Sequence, residues 1–115
     1  MTHAIIAATA RTAVGTFGGA LKGIPAPALG THAITAALDG AGVLPERIAY
    51  VIMGNVISGG LGQNPARQSA IGAGIPVTTP ALTVDMTCGS SLRAVNAAAE
   101  LIHLGRAHII IAGGF

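Results

Sequence analysis

Thr83-Val84-Asp85-Met86-Thr87-Cys88-Gly89-Ser90-Ser91-Leu92-Arg93-Ala94-Val95 holds the only cysteine of the chain and reads as a strand, a tight turn and the start of a helix. Ala81-Leu82-Thr83-Val84 is short, apolar and partly β-branched, the composition of a buried strand. Gly89, Ser90 and Ser91 suit a turn or a first helical turn, because they add little bulk. Leu92, Val95, Ala99 and Ile102 then recur at helical spacing, with Arg93, Asn96, Glu100 and His103 on the other side. Gly105 is the helix stop. Cys88 is thereby predicted at or near a helix N-terminus.

That position has chemical consequences. The thiolate is the nucleophilic form of cysteine. Unpaired N–H groups and the helix dipole favour negative charge at a helix start. A backbone N–H at such a turn can also face a developing oxyanion. Asp85, three residues earlier, opposes negative charge on the sulfur if its carboxylate turns the same way. The competing reading is a lone cysteine that serves only as a small buried hydrophobe. Residue type and position leave both readings open.

The rest of the chain supplies the frame for this turn. Ala4 to Thr9 reads as a first strand, and Arg11 to Gly23 as a glycine-rich loop. The loop is no Walker motif, since Lys22-Gly23 is not a Gly-Lys followed by Ser or Thr. Ala28 to Ala41 is a helix with an apolar stripe of Ile34, Ala37, Leu38 and Ala41, stopped by Gly42. Leu44 to Arg47 is a short helical turn, and Tyr50 to Met53 a strand that could extend through Val56-Ile57. Gly60-Leu61-Gly62 begins like a dinucleotide fingerprint, but Pro65 takes the third glycine position. Asn64 and Pro65 fit the N-cap and first residue of a helix reaching about Ile71. His108 to Ala112 is a last buried strand. Alternation of strand and helix implies an α/β layered domain with mostly parallel strands.

Composition narrows the function classes. Among 115 residues, 51% are hydrophobic and 9% charged, which suits a packed core and excludes a disordered chain. So few charges suggest that some apolar faces meet another domain or subunit. The net charge of +2 comes without a basic run, so nucleic-acid binding is not expected. One cysteine cannot form an internal disulfide. No apolar run reaches the ~18 residues of a membrane span, and the N-terminus lacks the pattern of a signal peptide. A cytoplasmic setting is the expectation. His3, His32, His103 and His108 show no zinc-like spacing with Cys88, so no metal site is expected and all four read as structural or surface groups.

Asp85 to Val95, centred on Cys-Gly-Ser-Ser-Leu-Arg-Ala-Val, resembles the nucleophile loop of the thiolase family. Ala10 to Gly19 resembles that family's opening motif. Val51 to Val56 with Gly62 to Gln68 resembles its second block, and Ala112-Gly113-Gly114 the segment after its fourth strand. The similarity runs in order from end to end and covers the N-terminal part of a thiolase N-terminal domain, residues 1–115. The implied fold is layered α/β, with a mixed, mostly parallel sheet and helices on both faces.

The resemblance implies that Cys88 carries an acyl group between acyl-CoA and CoA or acetyl-CoA, by Claisen condensation or thiolysis. Its backbone N–H would be one oxyanion donor. Coenzyme A thioesters would be substrates, with no permanently bound cofactor. Dimers or tetramers pairing their N-terminal halves, with Tyr50 to Leu104 at the interface, would be the assembly. The family's histidine, asparagine and second cysteine fall beyond Phe115, so these 115 residues alone are expected to be inactive. Many thiolases have Asn at the place of Asp85, Gly at Ser91 and Pro at Ala13. Asp85 and Ser91 move the loop toward β-ketoacyl synthases, relatives that would use an acyl carrier protein and two histidines. The blocks around Arg11 and Gln63 favour thiolase. A non-catalytic half-domain that serves assembly is the alternative from another class.

Overall fold

Tyr50–Gly54 (β1) is the middle strand of a three-stranded sheet, and all of it beyond Tyr50 is buried. The computed structural model describes residues 2–115. Helix α1 (Ala26–Ala41) precedes β1 and is closed by Gly42, whose φ of 62° is left-handed, a conformation glycine reaches without a steric penalty. A 3-10 turn, Pro45–Arg47, links α1 to β1. Helix α2 (Pro65–Gly72), strand β2 (Ala81–Val84), helix α3 (Ser90–His103) and strand β3 (Ile110–Gly114) follow. The order across the sheet is β2-β1-β3, and both pairings are parallel. Val51 lies opposite Ala81 and Ile111, and Ile52 opposite Leu82 and Ala112.

Strand alternation divides the core. Val51 and Met53 point to the side where Ile34 and Leu38 of α1 and Ala66 and Ala70 of α2 pack. Ile52 points to the opposite side, against Ala94 and Ala98 of α3. Helices therefore cover both faces, as a parallel sheet requires. Each buried Val or Ile side chain contributes roughly 1.5–3 kcal/mol by leaving water.

Four sequence expectations need correction. Ala4 to Thr9 forms no strand: Ile5 and Ile6 are 82% and 76% exposed. A strand exists only through a neighbour's ladder, and here the Ala4 N–H donates instead to His103 Nε2, at 3.4 Å. The strand through Tyr50 ends at Gly54 rather than at Val56-Ile57. The last strand begins at Ile110, two residues after His108, because its register is set by Tyr50. Ala81–Val84 lies at the sheet edge and is only half-buried.

The face of α3 also differs from the stripe that stands out in sequence. Leu92 and Val95 are exposed, whereas Ser90, Ala94 and Ala98 are the residues buried on the sheet. Small side chains at four-residue spacing bring this helix close to the strands. Leu92 and Val95 face outward, while Leu101, near the helix end, packs against the same core.

Candidate active site

Cys88 lies in the turn between β2 and α3, two residues before the first helical residue, and it is exposed. This is where the alternation of apolar strand, small turn residues and helix places it. The turn is built from side-chain and backbone hydrogen bonds. Asp85 Oδ1 accepts the Thr87 N–H at 2.9 Å. The Met86 C=O accepts the Gly89 N–H at 3.0 Å, and the Thr87 C=O accepts the Ser90 N–H at 3.1 Å. Ser90 Oγ accepts the Met86 N–H at 2.8 Å and donates to the Thr87 C=O at 2.6 Å. The Arg93 N–H, bonded to the Gly89 C=O at 2.9 Å, starts the helical ladder.

Thr87 has a φ of 46°. A left-handed conformation is an outlier for a β-branched residue, at a cost of order 1–3 kcal/mol, and it persists only where surrounding bonds over-determine it. Three of the hydrogen bonds above end on Thr87. The strained residue immediately precedes Cys88, so the backbone that carries the thiol is held by the bonds of this turn. Asp85, which sequence alone could not orient, turns its carboxylate into the turn backbone.

The strand ends below the turn are made of glycine for a reason. A Cβ on Gly54 would lie 2.5 Å from the Ser90 carbonyl carbon and from the Ser91 nitrogen. One on Gly114 would collide with Ser91 Oγ and lie 2.8 Å from the Gly54 carbonyl oxygen. The Phe115 N–H donates to that same Gly54 oxygen at 3.0 Å, and the Asn55 N–H to the Val84 oxygen at 3.0 Å. The C-terminal ends of β1, β2 and β3 thus converge under the first turn of α3. This is the end of a parallel sheet where ligand sites form.

A second set of contacts fixes β2 from the other side. Asn64 caps α2 by accepting the Arg67 N–H on Oδ1, 3.2 Å, and the same oxygen accepts from Thr83 Oγ1 at 2.7 Å. Its Nδ2 donates to the Ala81 C=O at 3.0 Å. Arg67 donates to the C=O groups of Thr79 and Val77 at 2.9 and 2.8 Å, holding the segment that enters β2. The stretch from Gly62 to Gln68 is thereby joined to the stretch that carries Cys88. An open cleft of about 390 Å³ lies between them, lined by Asn55, Ser58, Asn64, Thr83 and Asp85.

All four histidines are exposed. Among the described residues, no group of three His, Cys, Asp or Glu comes together as a metal site, and no helix is long and apolar enough to cross a membrane. Sequence reading missed two contributors to the turn: the left-handed Thr87, for which residue type gives no signal, and the buried hydroxyl of Ser90. The signal for Ser90 was its four-residue spacing with Ala94 and Ala98.

The sequence model of the family described as thiolase, N-terminal domain, matches residues 4–115. An acetyl-CoA acetyltransferase of Cupriavidus necator is 56% identical over 114 residues, covering 99% of this chain and 29% of the relative. One of Chromobacterium violaceum is 57% identical over the same share of each. A rat protein named acetyl-CoA acetyltransferase, cytosolic, is 48% identical over 110 residues, 96% of this chain and 28% of the relative. The chain spans less than a third of the length of these curated relatives.

Proposed function

The chain belongs to the thiolase family, and from this premise we propose that Cys88 is the acyl-carrying nucleophile of an acetyl-CoA acetyltransferase. The observation that carries the reading is the place of Cys88: an exposed thiol at a strand-to-helix turn, within residues 4–115 matched by the thiolase N-terminal domain. In the proposed first step Cys88 Sγ attacks the thioester carbonyl of acetyl-CoA. The carbon–sulfur bond to CoA breaks, and CoA leaves with the proton as its thiol. In the second step the α-carbon of another acetyl-CoA, after losing a proton to a base, attacks the acetyl group on Cys88. Acetoacetyl-CoA forms and the sulfur regains a proton. Thiolysis is the same sequence reversed.

Each step asks something of this turn. The tetrahedral intermediate needs a donor for its oxyanion, and preorganised backbone N–H groups supply such stabilisation without reorganisation. The Cys88 N–H takes that role in the proposal, since the next two N–H groups are engaged by Met86 and Thr87. Proton transfers need an acid and a base. By resemblance those groups come from beyond Phe115, so residues 1–115 alone are expected to accept an acyl group and not to turn over. Assembly as a homo-oligomer and a cytoplasmic location complete the reading; the rat relative's name supports the latter.

The test is mass spectrometry of the complete protein after incubation with acetyl-CoA. An acetyl adduct on the Cys88 peptide, absent from Cys88→Ala, is the expected result. A protein that turns over acetyl-CoA equally well as Cys88→Ala would overturn the proposal. Transfer from an acyl carrier protein, with no transfer from CoA, would move it to the β-ketoacyl synthase class.

A further inference from the structure

Ser90 and Ser91 are adjacent at the start of α3, yet they do different things. Ser91 is exposed and faces Gly114. Ser90 is 3% exposed, and its hydroxyl points backward along the chain. A serine at the N-cap accepts from an N–H two or three residues ahead, but here Gly89 is the N-cap and Ser90 the first helical residue. Ser90 instead accepts from the Met86 N–H, four residues behind, and donates to the Thr87 C=O, three behind. One hydroxyl thus uses its donor and an acceptor lone pair together.

These two bonds close a ring around Thr87, Cys88 and Gly89. The ring contains the strained φ of Thr87 and the nucleophile beside it. Its floor is the end of β1, where Gly54 leaves no room for a side chain beside the Ser90 backbone. A turn held by main-chain bonds alone would keep Gly89 N–H to Met86 O and Ser90 N–H to Thr87 O, but would lose the side-chain group that ties the two flanks of Cys88 to each other.

We propose that Ser90 is a positioning residue: its buried hydroxyl locks the turn from Met86 to Ser90 and so aims the Cys88 thiol and N–H for acyl transfer. The inference rests on the functional reading above for its catalytic half. It does not rest on it for the lock itself.

The complete protein is compared as wild type, Ser90→Ala and Ser69→Ala. Ser69 is an apt control, since its buried hydroxyl donates to the Pro27 C=O at 2.9 Å, away from the turn. Both variants remove one buried hydroxyl, so both are expected to lower the melting temperature. Only Ser90→Ala should slow acetylation of Cys88, by tenfold or more in single turnover, with KM for acetyl-CoA changed less than twofold. Amide exchange within Met86–Ser90 should quicken at least tenfold in that variant alone. Equal acetylation by Ser90→Ala and wild type, or an equal effect of Ser69→Ala, overturns the inference. Should Ser90→Ala not fold, the wild-type Met86 amide decides: protection of tenfold or more supports the lock, and free exchange overturns it. A wild type never acetylated at Cys88 overturns the functional reading, while the exchange data still decide the lock.

Discussion

Gly54 and Ser90 meet backbone to backbone: a Cβ on Gly54 would sit 2.5 Å from the Ser90 carbonyl carbon, with no flexible side chain to yield. The contact joins the end of the central strand to the helix start that follows Cys88. It allows the first turns of α3 to settle on the sheet through Ser90, Ala94 and Ala98 rather than through Leu92 and Val95.

Gly54→Ala is therefore expected to destabilise the protein by about 1–3 kcal/mol, the usual cost of overpacking. Gly40→Ala supplies the contrast. Gly40 lies inside α1, and a Cβ there meets only Ala8 Cβ at 3.7 Å. Gly40 is the penultimate residue of α1, so its replacement is worth up to the about 0.5–1 kcal/mol gained at a helix-interior glycine. Chemical denaturation of both variants checks the pair. Equal stability of Gly54→Ala and wild type would show that the helix start can move away at no cost.

Arg67 is expected to be irreplaceable by lysine. Its guanidinium fork reaches two carbonyls, of Val77 and Thr79, that lie two residues apart on the segment entering β2. An ammonium keeps the charge but not the fork. Hydrogen bonds from charged donors are worth about 1.5–3 kcal/mol, so Arg67→Lys should lose a value of that order and Arg67→Ala at least as much. Hydrogen exchange at Pro76–Val84 should rise in both. A lysine variant as stable as wild type would mean that one carbonyl contact suffices.

The element order was legible in the sequence because punctuation and periodicity agreed. Gly42, Asn64-Pro65 and Gly105 mark helix ends by backbone rules that do not depend on tertiary contacts. The site was legible as a place, since a strand followed by small residues and a helix puts Cys88 at the turn. Its internal geometry was not. The pairing of Ser90 Oγ with Met86 and Thr87 depends on a φ that threonine rarely adopts. The buried face of α3 was misleading for a related reason: hydrophobicity points to Leu92 and Val95, while close approach to the sheet selects serine over Gly54 and alanine over Ile52. Ala4 to Thr9 has strand composition, but composition cannot supply the neighbouring ladder.

The Arg93–Glu100 pair should leave a small, pH-dependent mark on stability. The two side chains form a two-bond pair at 2.8 and 3.1 Å on the outside of α3. Hydrogen bonding to Arg93 holds the Glu100 carboxyl below its usual range, with the opposing desolvation smaller. A lowered folded value means the contribution is present above the ordinary carboxylate range and is lost as pH falls through the lowered one. Both groups are largely in water, so salt should screen the effect. Denaturation of wild type and Glu100→Gln should differ slightly at neutral pH and low salt, and should converge in acid. A difference that widens in acid would contradict the sign.

The outward face of α3 leads to the last expectation, the association of the 115-residue polypeptide. Leu92 is 65% exposed and Val95 38%, on the helix that begins at the Cys88 turn, and Met86 and Leu82 lie exposed nearby in the chain. Large apolar groups left open in this way mark a surface that another domain or subunit covers. A stable interface removes ~800 Å² from each partner. Leu82 is on the edge strand, whose outer ladder is open among the described residues. Residues 1–115 by themselves should therefore self-associate at micromolar concentration, seen as excess light scattering. Leu92→Ser with Val95→Ser should reduce it, because the substitutions remove apolar area without touching Ser90, Ala94 or Ala98. A sharp monomer peak for the unsubstituted polypeptide would show that these side chains are tolerated in water, and the proposed homo-oligomer would then need a different surface.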